Sequence, residues 1–75
     1  MEVNLVLDAK GLSCPMPIVR IKKAMDALQP GEILEVLATD KGASSDIPAW
    51  TKSRGHQILD QTIEGDVIKF FIKKR

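Results

Sequence analysis

The 75-residue sequence contains one cysteine, one histidine and no tyrosine, and its charges almost cancel, with 11 Lys and Arg against 10 Asp and Glu. Each scarcity excludes something. A lone cysteine cannot close an internal disulfide, and with a lone histidine it cannot supply the full set of soft ligands that a zinc site needs. Neither a metal nor any other cofactor is therefore expected. A formal charge of +1 gives no overall field to gather nucleic acid or to hold a membrane surface. No apolar run approaches the roughly 18 residues of a membrane span, and Met1 to Asp8 lacks the basic start of an export signal. A free thiol in an unexported chain suits the reducing cytoplasm.

What is present is a chain close to the lower size limit for one hydrophobic core. Its 44% apolar content is that of an ordinary small soluble protein, so residues 1–75 read as one domain held by packing alone. Val3 to Asp8 alternates as a strand with Val3, Leu5 and Leu7 on its buried side. From Pro15 to Leu28, the apolar Ile18, Ile21, Met25 and Leu28 recur at helical spacing. Pro15 and Pro17 fit only a first helical turn and fix the start at Cys14 or Pro15, while Gln29-Pro30-Gly31 fixes the stop. Glu32 to Asp40 is a second strand, and strand–helix–strand makes a right-handed parallel crossover. A second helix is expected after Lys41-Gly42, capped by Ser44 or Ser45, with Pro48 in its first turn and Gly55 at its end. Gln57 to Ile63 and Val67 to Lys73 then form a hairpin across Glu64-Gly65-Asp66.

The order β-α-β-α-β-β predicts an α/β two-layer sandwich, a four-stranded mixed sheet with both helices on one face. The other face carries Ile33, Leu37, Val67 and Phe71 at alternate strand positions. Such a patch is either an interaction surface or is covered by long neighbours such as Glu35 and Lys69.

The chemistry gathers at Gly11-Leu12-Ser13-Cys14-Pro15-Met16-Pro17. A thiol at a helix N-terminus meets unpaired amide hydrogens and the positive end of the helix dipole, so its pKa is expected to fall. Pro15 and Pro17 have no N–H, which leaves Met16 and Ile18 as the amides that could accept a sulfur anion. Lys10, Arg20 and Lys22 could add positive potential. The missing residues narrow the reaction type. A cysteine hydrolase needs a nearby base, and His56, the one histidine, falls at the far end of the second helix. A thioredoxin-like oxidoreductase needs a second cysteine. What remains is a thiol that accepts a group, holds it and gives it up, a role a persulfide suits. The alternative for Cys14 is a small buried residue, against which its place between a tight turn and a proline-locked helix argues.

Asp8-Ala9-Lys10-Gly11-Leu12-Ser13-Cys14-Pro15-Met16-Pro17, with Lys23-Ala24 after it, resembles the signature of the TusA/SirA-like sulfur carriers. The resemblance continues through Gly31-Glu32, Thr39-Asp40, Asp46-Ile47-Pro48-Ala49-Trp50 and Gly55-His56, nearly the whole chain. It implies a two-layer sandwich and a persulfide on Cys14, with Gly11, Leu12, Pro15, Met16, Pro17 and Ile18 forming the motif around it. It also implies a cysteine desulfurase or rhodanese-type donor and a downstream acceptor protein, as in tRNA thiolation, molybdenum-cofactor assembly or sulfur oxidation. Two positions depart from the pattern: Met16 stands where glutamate is common, and Lys41 where proline is frequent. The first bears on the choice of partners, the second on the shape of the loop.

Met16, Arg20 and Lys23 are spaced to form one exposed ridge below Cys14 and are the candidate partner contacts. Trp50 shares a face with Ile47 and reads as core; His56 reads as a helix-end residue bonded to backbone. Lys73-Lys74-Arg75 reads as a solubilising edge. A rival function is RNA binding, since the family's fold resembles the C-terminal domain of bacterial initiation factor three. Near-neutral charge and three aromatic residues, Trp50, Phe70 and Phe71, argue against it. A non-catalytic adaptor is a third reading, under which Cys14 would be dispensable.

Overall fold

Strand alternation and helical periodicity become six elements in the computed structural model, which covers residues 1–75: β1 (Leu5–Ala9), α1 (Met16–Asp26), β2 (Ile33–Ala38), α2 (Ala43–Ser53), β3 (Gln57–Glu64) and β4 (Val67–Lys73). The sheet order is β1-β2-β4-β3. β1 runs parallel to β2, with Leu5 beside Leu34 and Ala9 beside Ala38. β4 is antiparallel to both β2 and β3. This is the expected mixed four-stranded sheet with two helices.

One face of the sheet makes the core. Leu34, Val36 and Ala38 from β2 and Ile68, Phe70 and Ile72 from β4 are buried at every second position. Helix α1 meets them with Ile21 and Met25, then Leu28 just past its end, and α2 adds Ala43 and Ile47. Trp50 is half-buried against this cluster, as its position on the face of Ile47 implies. Complete burial of side chains such as Phe70 or Ile21 supplies about 1.5–3 kcal/mol each before entropy is counted.

On the opposite face, Ile33, Leu37, Val67 and Phe71 are each half-buried, and so are Glu35 and Lys69. The register puts Glu35 opposite Phe71 and Leu37 opposite Lys69. Cross-strand pairing thus sets a charged side chain beside a large apolar one at both positions, an arrangement that lets long stems share the cover of this face. The outer strands are less protected: Val6 is 55% exposed and Ile63 66%.

Several details differ from expectation. The first strand begins at Leu5, not Val3, although the Asn4 amide bonds to the Ile33 carbonyl at 2.9 Å. As an edge strand it leaves Leu5 38% exposed and Leu7 half-buried, and the fully covered position is Ala9. Helix α2 starts earlier than expected. Gly42 is its N-cap, without a side-chain capping bond, and Ser44 and Ser45 lie inside the first turn, where their hydroxyls donate back to the Lys41 and Gly42 carbonyls. Short hydroxyl side chains readily make such backbone bonds. Pro48 consequently lies in the helix interior rather than its first turn, which removes one intrahelical donor. β3 carries an irregularity between Ile58 and Asp60, a common device on an exposed edge strand.

The C-terminal tail is structural rather than merely solubilising. Lys74 Nζ donates to the carbonyls of Met25 (2.7 Å) and Leu28 (2.6 Å). It thereby adds a second donor to the Met25 carbonyl, which already accepts the Leu28 amide, and one to the Leu28 carbonyl beyond the end of α1, where the dipole also favours a cation.

Candidate functional site

Between β1 and α1 the chain turns through residues 10–15, and three bonds shape that loop. The Lys10 amide donates to Asp8 Oδ1 at 3.0 Å, and the Leu12 amide to the Ala9 carbonyl at 3.3 Å. The Gly11 amide donates to Thr39 Oγ1 at 2.9 Å, tying the loop to the end of β2. Gly11 has a φ of 80°, a left-handed conformation that glycine adopts without the steric cost of a Cβ. Cys14 emerges from this loop exposed, with a cis peptide to Pro15.

The helix start is not quite where the thiol was expected to profit from it. Pro15 is the N-cap and Met16 the first helical residue, so Cys14 lies one residue outside. The Met16 amide is occupied by the Ser13 carbonyl at 2.9 Å. Pro15 and Pro17 have no N–H, and the next amide with a backbone partner is that of Val19, bonded to the Pro15 carbonyl. Only the Ile18 amide remains of the two that were expected to face a sulfur anion.

Parallel pairing of β1 and β2 brings the C-terminal ends of both strands, and hence the N-termini of both helices, to one edge of the sheet. There Cys14 borders a narrow notch with Pro17 and Ile18 of α1, Ala43, Asp46 and Ile47 of α2, and Asp40 from the connecting loop. Gly42 matters here for space. A Cβ on it would stand 3.2 Å from Asp40 Oδ2 and 3.4 Å from Asp46 Oδ2, so the two carboxylates close around this glycine.

The electrostatics reverse the sequence-based expectation. The Cys14 thiol is pushed above its ordinary pKa, first by loss of water on the side of the sulfur facing the notch, then by the charge of Asp46, by Asp46 as acceptor for the S–H, and by the charge of Asp40. The residue as a whole stays exposed, so that desolvation is local to one side. The cations named as sources of positive potential are engaged elsewhere or point outward: Lys10 lies 4.0 Å from Asp8, Lys22 3.4 Å from Asp26, and Arg20 is exposed on α1.

Of the sequence-predicted residues, Cys14, Pro17 and Ile18 meet at the notch, Gly11 and Leu12 shape the loop, and Pro15 and Met16 face solvent. Met16, Arg20 and Lys23 are all exposed along α1, as expected. Val19 joins them at 49% exposure beside Met16 at 39%, an apolar neighbour that the sequence reading left out. His56 lies at the other end of α2, its Nδ1 accepting the Arg75 amide hydrogen at 3.0 Å. Asp40 and Asp46 were read only as parts of a pattern. The signal that could have found them was the crossover itself, which obliges the start of the second helix to lie beside the start of the first.

An α/β sandwich with one exposed thiol between two helix starts, and neither a histidine nor a second cysteine beside it, has the form of a single-cysteine group carrier. The chain belongs to the TusA family of sulfur carrier proteins: the family described as Sulfurtransferase TusA matches residues 5–74. It is 65% identical to YrkI of Bacillus subtilis over 74 residues, covering 99% of each chain. It is 44% identical to the sulfur carrier protein TusA of Allochromatium vinosum, covering 91% of this chain and 90% of that one. The crystal structure of a SirA-like protein from Desulfitobacterium hafniense superposes with a TM-score of 0.81 at 27% identity, covering 92% of this chain and 95% of that one. No helix is long and apolar enough to cross a membrane.

Proposed function

We propose that residues 1–75 act as one carrier domain that takes up sulfane sulfur as a persulfide on Cys14 and relays it to a partner protein. The observation that carries this reading is the exposed, unpaired thiol of Cys14 on a loop anchored to the sheet by the Gly11–Thr39 bond. In loading, Sγ bonds to the terminal sulfur of a donor persulfide. The donor's S–S bond breaks, its electron pair stays on the donor sulfur, and the proton lost by Cys14 is balanced by one gained there. In unloading, a nucleophile of the acceptor attacks the terminal sulfur, the bond to Sγ breaks, and Sγ recovers a proton. No oxidant or reductant is consumed.

Donors of the cysteine desulfurase or rhodanese type fit this chemistry, and tRNA thiolation, molybdenum-cofactor assembly and sulfur oxidation are the kinds of pathway such a relay serves. Met16, Val19, Arg20 and Lys23 form the exposed strip of α1 next to Cys14, and a partner reaching the sulfur would meet it first. With no net field and little aromatic surface, the chain has nothing that favours RNA binding.

The test is incubation with a desulfurase and cysteine, or with a rhodanese and thiosulfate, followed by mass spectrometry. The wild type is expected to gain one sulfur atom, lost again on reduction, and Cys14→Ser to gain none. A wild-type chain that stays unmodified with every donor sinks the reading, and full relay function in Cys14→Ser would make the chain an adaptor instead.

A further inference from the structure

The two carboxylates at the notch have no place in the relay as described so far. Asp46 in the first turn of α2 and Asp40 in the β2–α2 loop converge on Gly42 and share the notch with the cysteine. Neither carboxylate takes part in an ion pair: the two in the molecule are Lys10–Asp8 and Lys22–Asp26. Two uncompensated negative charges beside a cysteine are the opposite of what activates a nucleophilic thiol.

We propose that Asp46, with Asp40 behind it, is a positioning residue that makes the carrier discriminate between its empty and loaded states, by opposing negative charge on Sγ far more than on the terminal sulfur of the persulfide. This inference rests on Cys14 being the sulfur-bearing residue. The physical reason is distance. Coulomb repulsion falls as charge moves away from the carboxylates, and a terminal sulfur stands one bond further out. The notch has no room for a water-sized guest, so an added sulfur projects into solvent, where its charge is hydrated and screened.

The consequence is an emptied carrier whose thiol is held protonated. After unloading, Sγ is left with the electron pair of the broken S–S bond, and the carboxylates favour its prompt protonation. The emptied thiol then reacts poorly with stray electrophiles. Loading requires the proton to leave, and the Asp46 carboxylate, which borders the same notch as Cys14, is placed to receive it. The opposing raised pKa of the thiol is consistent with this arrangement. The charged groups that line the notch are Asp46 on α2 and Asp40 on the β2–α2 loop; the cations of the surrounding elements, Lys41 of that loop, Lys10 paired with Asp8 in the β1–α1 loop, and the exposed Arg20, Lys22 and Lys23 of α1, lie outside it.

The experiment follows alkylation of Cys14 by iodoacetamide as a function of pH. Asp46→Asn is expected to shift the midpoint to lower pH and raise the rate at neutral pH several-fold. Asp40→Asn acts in the same direction but less, the double variant acts more, Asp46→Glu stays close to wild type, and Asp60→Asn on β3 changes nothing. Added potassium chloride screens the carboxylates, so it lowers the wild-type midpoint, a measurement that needs no substitution at all, and leaves that of the double variant in place. An unmoved midpoint in folded Asp46→Asn, or a wild-type midpoint indifferent to salt, overturns the inference. Sulfur uptake is read separately by mass. A chain that loads sulfur while the midpoint ignores Asp46 loses this inference and keeps the carrier reading; one that never loads loses the carrier reading, and with it the meaning of the discrimination.

Discussion

The two ends of the helical layer hold the two titratable groups whose surroundings shift them, and in both cases the neutral form is favoured first by desolvation and then by neighbouring charges. At the Cys14 end, desolvation and the carboxylates of Asp46 and Asp40 oppose an anion. At the other end, desolvation and the cations of Arg75, Lys74 and Arg54 oppose protonation of His56. The difference lies in what the neutral group does. His56 accepts the Arg75 amide hydrogen, and its ring lies 5.8 Å from that of Trp50, over which Arg54 stacks at 5.6 Å. Its Nδ1 and one ring contact are thus engaged. Cys14 is exposed and free. The same combination of desolvation and neighbouring charge accompanies a structural contact at one end and an exposed thiol at the other.

The comparison breaks most visibly at the structural end. Lys74→Met removes two charge-assisted bonds to the carbonyls of Met25 and Leu28. It is expected to lower the unfolding free energy by about 1.5–3 kcal/mol, measured by urea titration, while the pH profile of Cys14 alkylation stays in place. An unchanged urea midpoint would show that the tail carries no such weight.

A smaller effect is expected on the partner side. Met16→Ala shortens an exposed apolar side chain next to the cysteine, so sulfur uptake from a cognate donor slows a few-fold while alkylation by a small reagent is unaffected. Equal slowing of both reactions would place Met16 in the thiol's chemistry instead of in partner contact.

The smallest effect is the pH dependence contributed by His56. Its folded pKa lies below the unfolded value of about 6.5, so on acidification the unfolded chain binds a proton before the folded one does. Stability from this group is complete above the unfolded pKa and is lost as pH falls from there toward the folded pKa. His56→Gln is expected to flatten that segment of the stability–pH curve. A wild-type slope retained in the variant would assign the dependence to another group.

Much of the fold was legible because each element carries a local signature. The helix start at Pro15-Met16-Pro17, the alternation of Leu34, Val36 and Ala38, and the Gly65-Asp66 turn between β3 and β4 are decided within a few residues. The errors share one cause. Ser44 and Ser45 look like caps in isolation, yet α2 begins at Ala43, next to the Asp40–Gly42 loop that closes on the first helix start. Lys74 looks like a solubilising charge until the end of α1 packs 46 residues away in the chain. Val19 falls on no apolar stripe, and its exposure beside Met16 is set by where α1 lies on the sheet.

By itself the sequence determined the order of elements, the position of the single thiol before a proline-locked helix and, by what it lacks, that no second cysteine or neighbouring histidine in the chain stands ready to act with that thiol. These follow from local backbone preferences and from the inventory of side chains, neither of which needs a third dimension. Only the tertiary structure decided the electrical setting of Cys14. The helix start alone argued for an activated thiolate, but the parallel crossover brings Asp40 and Asp46 to the same edge, and their charges with the lost hydration outweigh the one amide left free. Charge acts through space, and the residues that matter most to this sulfur are 26 and 32 positions away along the chain.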